Sequence, residues 1–141
     1  MRRGDVVWVD LDPVQGAEAG KRRPAVVVSN DGANRMAQQR GRGVITVVPV
    51  TSNTSKVYPF QVLLPARRCK LAHTSKAQAE QIRSVAVERV DGVVGRLPPD
   101  LLDEHSRFMR LFVNLAVRAA SMGGKSKIPI LLVIWLLNAL L

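Results

Sequence analysis

The sequence is poor in cysteine and in acidic residues. A single cysteine, Cys69, stands among 141 residues, which excludes an internal disulfide framework and is compatible with a reducing cytoplasm. Only 11 Asp and Glu residues oppose 21 Lys and Arg residues, which gives a formal net charge of +10 at pH 7. This excess favours an acidic partner, namely nucleic acid, an anionic membrane surface or an acidic protein segment. Charge alone does not choose among the three.

Long apolar segments are also scarce. The only nearly continuous apolar stretch is 128–141, and as a helix it would span about 21 Å, short of the ~30 Å hydrocarbon core. A transmembrane span is therefore not expected; an extra packed helix, an oligomer contact or contact with a membrane surface remain open. We divide the chain into a domain at 1–117, a linker at 118–127 and this apolar tail. No secretory signal peptide is expected before the first strand.

Most templates for enzyme chemistry are missing. Cys69 and His73 are four residues apart, but no second pair accompanies them, so a closed zinc site lacks ligands. The sequence has no nucleophile elbow, no P-loop and no carboxylate pattern for paired metals. Asp10 and Asp12 are a weak signal for a cation. His105, on the apolar stripe of a predicted helix, is interpreted as a packing residue. We expect no metal and no cofactor.

Short β-branched segments dominate the first part of the chain. Strands are predicted at 5–11, 24–30, 44–51 and 58–64. A short helix is predicted at 31–39, with Asn30 or Asp31 as its cap. A longer helix begins at Pro98-Pro99 and carries apolar residues at spacings of three and four. Strands first and a helix last predict a mainly β fold, a small curled sheet or barrel with a C-terminal helix packed on it.

Several positions carry more specific expectations. The first strand is predicted to be half exposed, with Trp8 either packed, which we prefer, or serving as a stacking platform for a base. Pro49 predicts a sheet edge or a bulge. Segment 66–76 is predicted to be irregular, whereas 77–85 fits a strand or a short helix. Asp91-Gly92 predicts a hairpin turn before a strand at 93–97.

Three cations, Lys21 to Arg23, stand directly before Pro24 and a Val-rich run. Pro24 fits the first residue of a strand, so Arg23 is expected directly before a rigid strand. A guanidinium suits a phosphate there because it is planar, always charged and able to bind two oxygens. Solvated charges at a strand end are an equally good interpretation. Thr51 ends another buried strand that a small barrel could bring beside Arg23, although an ordinary turn residue is the simpler explanation.

RNA cleavage requires few groups from a protein. The 2′-hydroxyl of the substrate can attack the adjacent phosphorus, so the protein has to position the strand and stabilise a negatively charged phosphorane. An arginine and a hydroxyl donor such as Arg23 and Thr51 can supply that stabilisation, and the Glu18 carboxylate could assist proton transfer. DNA has no 2′-hydroxyl and could not react in this way.

Six segments together resemble a known family, the MazF/PemK-type toxins of toxin–antitoxin systems. Each is weak by itself, but they occur in the family's order over residues 1–117. The segments are Arg3–Pro13, Gly16–Glu18, Lys21–Ser29, Val48–Ser52, Tyr58–Phe60 and Gln78–Ser84.

The resemblance implies an SH3-like β-barrel of the CcdB/PemK type that forms a homodimer. It implies metal-independent, sequence-specific endoribonuclease cleavage of single-stranded RNA in the cytoplasm, as an mRNA interferase. Arg23 and Thr51 match the catalytic positions, and Glu18 matches an acidic loop position. A cognate antitoxin would lay an acidic tail across the same basic surface. The residues expected to bind RNA are Lys21, Arg22, Ser52, Asn53, Lys56, Gln81 and Arg83.

Two parts of the chain depart from the family. Residues 118–141 have no counterpart in the resemblance, and segment 67–73 is more basic than expected. Two other functions stay open, a catalytically inactive RNA-binding barrel and a gyrase-targeting toxin related to CcdB. The combination of Arg23-Pro24 with Pro49-Val50-Thr51 favours the ribonuclease, since a gyrase inhibitor has no use for it.

Overall fold

A computed structural model describes residues 1–121, except for the side chains at 108, 111–113 and 115–121. The predicted tail at 128–141 and the later part of the predicted linker lie outside the described residues. The strands are β1 (Asp5–Asp10), β2 (Arg22–Val27), β3 (Val44–Thr51), β4 (Gln61–Leu64), β5 (Ser75–Gln78), β6 (Arg83–Ala86) and β7 (Val90–Arg96). The helices are α1 (Asp31–Arg40), α2 (Ala66–Cys69) and α3 (Pro99–Ser121), with single 3₁₀ turns at Ala79–Gln81 and Val87–Arg89.

All strand pairs are antiparallel. The strand order is β4-β5-β3-β2-β1-β7, and β6 pairs with the remaining part of β3. The prediction of a mainly β fold with a C-terminal helix is confirmed. The curled sheet is consistent with an SH3-like barrel, although the pairings among residues 1–121 do not close into a ring.

The predicted half-exposed β1 is wrong, because the sheet separates two hydrophobic cores. Val6 and Val26 belong to one core, whereas Val7, Val9 and Val27 belong to the other. All five are fully buried. Since successive side chains point to opposite faces of a strand, each of these strands contributes to both cores in alternation.

Strand β3 is the most extensively paired element. It pairs with β2 along one edge, and along the other edge with β6 at residues 44–47 and then with β5 at 50–51. Pro49 lies between these two partners, where an N–H for that edge is not needed. The predicted sheet edge or bulge at Pro49 is wrong, since β3 is an interior strand and Pro49 marks the change of partner along one of its edges.

Local signals account well for α1 and less well for the strand ends. The Asn30 side chain caps α1 by accepting a hydrogen bond from the Ala33 N–H (2.8 Å), and Gly41 ends it with a φ of 61°. Strand β2 begins at Arg22 rather than at the predicted Pro24, which pairs with Trp8. The predicted strand at 58–64 is shortened to β4, so the segment Tyr58–Phe60 precedes it.

The second half of the sheet departs most from prediction. The segment predicted to be irregular contains α2 and the start of β5, and 77–85 contains strand, 3₁₀ turn and strand again. The predicted hairpin at Asp91-Gly92 is wrong, because both residues lie inside β7. Trp8 pairs with Asp91 and Val7 with Val93, so Gly92, at a φ of 74°, is an extra residue in a β-bulge.

Helix α3 packs on the sheet through residues one turn apart. Leu101, His105 and Met109 are all buried, which confirms His105 as a packing residue. Burial lowers the pKa of His105 to about 4, and the nearby Arg3 charge acts in the same direction. The start of α3 is tied to α2 because Arg68 donates two hydrogen bonds to the Asp100 carboxylate (2.7 and 2.8 Å).

Candidate active site

The start of β2 and the end of β3 meet at one edge of the sheet. The two strands are antiparallel, and Ala25 pairs with Pro49. Arg23 lies two residues before Ala25 and Thr51 two residues after Pro49, so both stand at the same level of the sheet and on the same face. The register between two buried strands therefore brings together the arginine and the threonine that were predicted to act together.

A cavity of about 620 Å³ opens at this edge. We call it the strand-end cavity. It combines cations and hydroxyl groups with an apolar wall, a composition suited to a phosphate joined to a base and a sugar. Its lining consists of Trp8, Lys21, Arg22, Arg23, Pro24, Val50, Thr51, Ser52, Leu71, Ala72, His73, Ser75 and Val94.

Arg23 is half buried, and its guanidinium is anchored through Nε. Its Nε donates a hydrogen bond to the Gly20 carbonyl oxygen (2.7 Å). Among the described residues its terminal nitrogens have no hydrogen-bond partner, so they are free to donate to a ligand. Arg22 is more engaged, since its guanidinium lies 5.0 Å from the centre of the Trp8 ring and pairs with Asp91.

Thr51 keeps its hydroxyl proton available. Its Oγ1 accepts a hydrogen bond from the Asn53 N–H (3.2 Å), which leaves the O–H free to donate elsewhere. Opposite Thr51 on β5 stands Lys76, a largely buried lysine whose ammonium group donates to the Lys56 carbonyl oxygen. The sequence reasoning missed Lys76, because nothing in the local pattern places β5 beside the end of β3.

Glu18 lies at a different cavity. This second cavity, of about 460 Å³, is lined by Glu18, Glu80, Gln81, Ile82, Arg83 and Ser84. We call it the loop cavity, because it borders the loop between β1 and β2. The Glu18 carboxylate accepts a hydrogen bond from the Gln15 N–H (3.1 Å) and has no hydrogen bond with Arg23 or Thr51.

The polar residues beside Glu18 hold that loop. The Gln81 side chain accepts a hydrogen bond from the Ala19 N–H (3.2 Å) and donates to the Ala17 carbonyl oxygen (3.4 Å). Arg83 donates to the Leu11 carbonyl oxygen (3.2 Å). Glu18, Gln81 and Arg83 thus line a different cavity from Arg23 and Thr51.

Asn53 and Lys56 lie on the segment after Thr51, outside the linings of both cavities. The Asn53 side chain accepts hydrogen bonds from the Ser55 N–H (3.2 Å) and hydroxyl (2.7 Å). The Lys56 ammonium lies 4.6 Å from the centre of the Tyr58 ring. This segment is therefore held by hydrogen bonds and contacts of its own side chains, next to the strand-end cavity but outside its lining.

His73 is the titratable residue that the sequence reasoning undervalued. It is exposed and lines the strand-end cavity with Arg23 and Thr51, and its carbonyl oxygen accepts a hydrogen bond from the Ser75 hydroxyl (2.9 Å). It was considered only as a zinc ligand beside Cys69, a buried thiol whose pKa is raised by burial. In residues 1–121, His, Cys, Asp and Glu do not gather in threes around one point.

No helix in the described part of the chain combines the length and the apolar character that a membrane crossing needs.

Comparison with known proteins assigns the family. A family model of the PemK-like, MazF-like toxin of type II toxin-antitoxin systems matches residues 2–113. The chain is 56% identical over 115 residues to Endoribonuclease MazF9 of Mycobacterium tuberculosis, an alignment that covers 82% of this chain and 98% of that protein.

Solved structures agree with this assignment. A crystal structure of MazF from Deinococcus radiodurans is similar at a TM-score of 0.66 and 30% identity, over 81% of this chain and 96% of that one. A MazE-MazF crystal structure from the same organism gives a TM-score of 0.61 at 28% identity, over 80% and 94% of the two chains. This chain therefore belongs to the PemK-like, MazF-like toxin family of type II toxin-antitoxin systems.

Proposed function

We propose that this chain is an endoribonuclease toxin that cleaves single-stranded RNA without a metal ion, through attack by the substrate's own 2′-hydroxyl. One observation carries the proposal: in a chain 56% identical to an endoribonuclease, Arg23 and Thr51 line one cavity at adjoining strand ends. The relative that is 56% identical over 115 residues is named an endoribonuclease, and this favours RNA cleavage over the gyrase-targeting alternative.

The reaction is a transfer of the phosphoryl group within the substrate. The 2′-oxygen forms a bond to phosphorus and loses its proton, while the bond from phosphorus to the 5′-oxygen breaks and that oxygen gains a proton. The products are a 2′,3′-cyclic phosphate, which can open to a 3′-phosphate, and a 5′-hydroxyl end. The protein contributes positioning and charge stabilisation.

Arg23 and Thr51 supply that stabilisation in the proposed mechanism. The Arg23 guanidinium, anchored through Nε to Gly20, presents its remaining N–H groups to the two non-bridging phosphate oxygens. The Thr51 hydroxyl donates a further hydrogen bond to the phosphorane. Lys21, Arg22 and Ser52 share the lining and bind the flanking phosphates of the strand.

Two groups are candidates for moving the protons. Glu18 matches the family's acidic loop position, and His73 shares the cavity with Arg23 and Thr51. A carboxylate or an imidazole can act as a general base or acid when it reaches the reacting oxygen. Gln81 and Arg83 hold the loop between β1 and β2 in place, and in this proposal they border the path of the RNA.

An antitoxin controls the toxin. One of the two similar Deinococcus radiodurans structures is that of MazE-MazF. We propose that this chain likewise binds a cognate antitoxin, whose acidic tail covers the strand-end cavity. The net charge of +10 suits both RNA and such a tail. We also propose that the chain forms a homodimer and acts in the cytoplasm.

The proposal is tested with purified protein and long single-stranded RNA in excess EDTA, with the new ends mapped. We expect discrete cuts that leave 5′-hydroxyl ends. The matched control is an oligonucleotide spanning a mapped cut with a single 2′-deoxy nucleotide in place of the attacking ribose, which should stay intact. Cleavage of the deoxy control, or cleavage that stops when EDTA is added, would contradict the mechanism.

A further inference from the structure

Two aromatic rings stack on each other at the surface beside the proposed active site. The chain has few aromatic residues, namely two Trp, one Tyr and three Phe. Tyr58 and Phe60 nevertheless lie stacked in front of β4, with ring centres 5.3 Å apart and planes only 3° from parallel. They are 41% and 37% exposed. Burial in the core therefore does not explain them, and an exposed, stacked aromatic pair is a candidate binding surface.

A cation accompanies the rings. The Lys56 ammonium lies 4.6 Å from the centre of the Tyr58 ring, within the range of a cation–π contact. Aromatic faces beside basic side chains are the combination with which proteins bind single-stranded nucleic acid, because bases stack on the rings and phosphates meet the cations. A purely apolar protein partner would gain nothing from Lys56.

The position of the pair relates it to the reaction. Thr51 pairs with Lys76 across β3 and β5, and the Lys76 ammonium donates to the Lys56 carbonyl oxygen. One lysine side chain therefore spans from the end of β3, at the rim of the strand-end cavity, to the backbone next to the rings. A strand whose scissile phosphate lies at Thr51 can place a neighbouring base at Tyr58 and Phe60.

We propose that Tyr58 and Phe60, with Lys56, form a stacking platform for a base of the RNA next to the scissile phosphate. The base extends the existing stack, and the Lys56 ammonium meets the phosphate of the same nucleotide. A pre-stacked pair loses little side-chain freedom on binding, so the platform helps to select which phosphate enters the cavity. This inference rests on the proposed ribonuclease function.

Tyr58 is the only tyrosine in the chain, which makes a direct test possible. Protein labelled with 3-fluorotyrosine gives one ¹⁹F resonance, and the Arg23→Ala variant prevents cleavage during the measurement. We expect this resonance to shift with an RNA oligonucleotide that spans a mapped cut. The control is an abasic oligonucleotide of equal length, which should shift it far less. Equal shifts with both, or no shift with RNA, would overturn the platform.

The same signal tests whether a second copy of the chain covers the rings. Dilution of the labelled protein without RNA should leave the resonance in place. A shift on dilution would show that another protomer covers the rings, and this would also overturn the proposal.

Cleavage kinetics provide the second measurement. We expect Tyr58→Ala and Phe60→Ala to raise KM by roughly 5- to 100-fold, as the loss of a base–aromatic stack does, and Tyr58→Phe to leave it nearly unchanged. Met36→Ala removes a somewhat more exposed apolar side chain on α1 and serves as the control. Unchanged KM together with lost antitoxin binding would make the rings a protein-docking surface and overturn the platform.

The two proposals fail in different ways. If the unaltered protein cuts no RNA, the ribonuclease function is wrong. If it cuts RNA while Phe60→Ala changes neither KM nor the sites cut, only the stacking platform is wrong.

Discussion

The strand-end cavity and the loop cavity open on the same small sheet, yet their polar groups are engaged differently. In the loop cavity, Gln81 bonds to the backbone at Ala17 and Ala19, and Arg83 bonds to the backbone at Leu11. In the strand-end cavity, the terminal nitrogens of Arg23 have no partner among the described residues, and the Thr51 hydroxyl keeps its proton to donate.

This difference separates holding a loop from binding a substrate. The Gln81 amide, whose oxygen and nitrogen both bond to the backbone, gains little from a ligand, and Arg83 uses one of its nitrogens to hold Leu11. Arg23 is a fixed donor whose terminal nitrogens can make charge-assisted hydrogen bonds to a phosphate. We therefore expect chemistry to depend on the strand-end cavity, and loop position and RNA affinity to depend on the loop cavity. The predictions below test that division.

The largest effect is expected from Arg23→Ala. The substitution removes the guanidinium that stands level with Thr51 on the neighbouring strand, so we expect the rate of RNA cleavage to fall by about 10³-fold or more. Arg23→Lys should recover only part of the rate, because an ammonium group cannot bind two oxygens in one plane. Single-turnover cleavage of a mapped oligonucleotide measures both. An Arg23→Ala protein with near-normal rates would remove the strand-end cavity from the chemistry.

The next largest effect is a loss of folding stability at acid pH, which limits the pH range in which the two cavities can be compared. The pKa of buried His105 is lowered to about 4, so between about pH 6.5 and pH 4 the unfolded chain binds a proton that the folded chain does not. The free energy of unfolding is therefore not reduced by His105 above about pH 6.5. It decreases as the pH is lowered from there, by about 3 kcal/mol near pH 4.

Urea unfolding at pH 7.5 and pH 4.5 measures this loss. His105→Leu should flatten the difference, because the buried side chain no longer takes up a proton on unfolding. His73→Gln, which removes the exposed histidine, is the control and should leave the difference in place. A wild-type protein equally stable at both pH values would show that His105 does not govern acid stability.

A smaller loss is expected from Thr51→Val, which keeps the shape of the side chain and removes its hydroxyl. Losing one hydrogen bond to a charged oxygen costs about 1.5–3 kcal/mol, which corresponds to roughly a 10- to 100-fold slower cleavage step. Thr51→Ser, which keeps the hydroxyl, should stay close to the unaltered protein. If the Val and Ser variants behave alike, Thr51 acts through packing rather than through its O–H.

The smallest and most informative comparison sets His73→Gln against Glu18→Gln. His73 shares a lining with Arg23 and Thr51, so we expect the larger loss of rate from His73→Gln, with a change in the pH–rate profile. Glu18→Gln should mainly affect KM. The opposite order would contradict the division between the cavities and favour Glu18 as the group that moves the proton.

Local signals predicted some elements well and others badly, for a physical reason. Helix α1 and strand β3 lie within one residue of their predicted bounds, because a capping Asn30 and a β-branched run act over a few residues. The segment 75–86 depends instead on pairing with β3, which no neighbouring residue reveals. Asp91-Gly92 shows a further limit, since the same dipeptide suits a hairpin turn and a β-bulge.

The candidate site likewise contains residues that the sequence predicted and arrangements that it could not. Arg23 and Thr51 were found through family motifs, and the register of β2 and β3 explains why two residues so far apart in sequence reach one edge. The separation of Glu18 from them could not be predicted, because it depends on which backbone groups Gln81 and Arg83 hold. His73 was considered only as a zinc ligand, because its place in the lining of the strand-end cavity depends on the fold.

The pairing of β3 also determines how the molecule should open. Backbone amides in a strand with partners on both edges exchange with deuterium only in large-scale opening, whereas amides in surface loops exchange during small fluctuations. Thr51 therefore sits at the end of the segment expected to exchange slowest, and Arg23 follows a loop expected to exchange quickly. Arg23 and Thr51 themselves both lie in paired strands, so small openings of the loop before Arg22 can admit RNA while the two residues that must meet one phosphate stay in place.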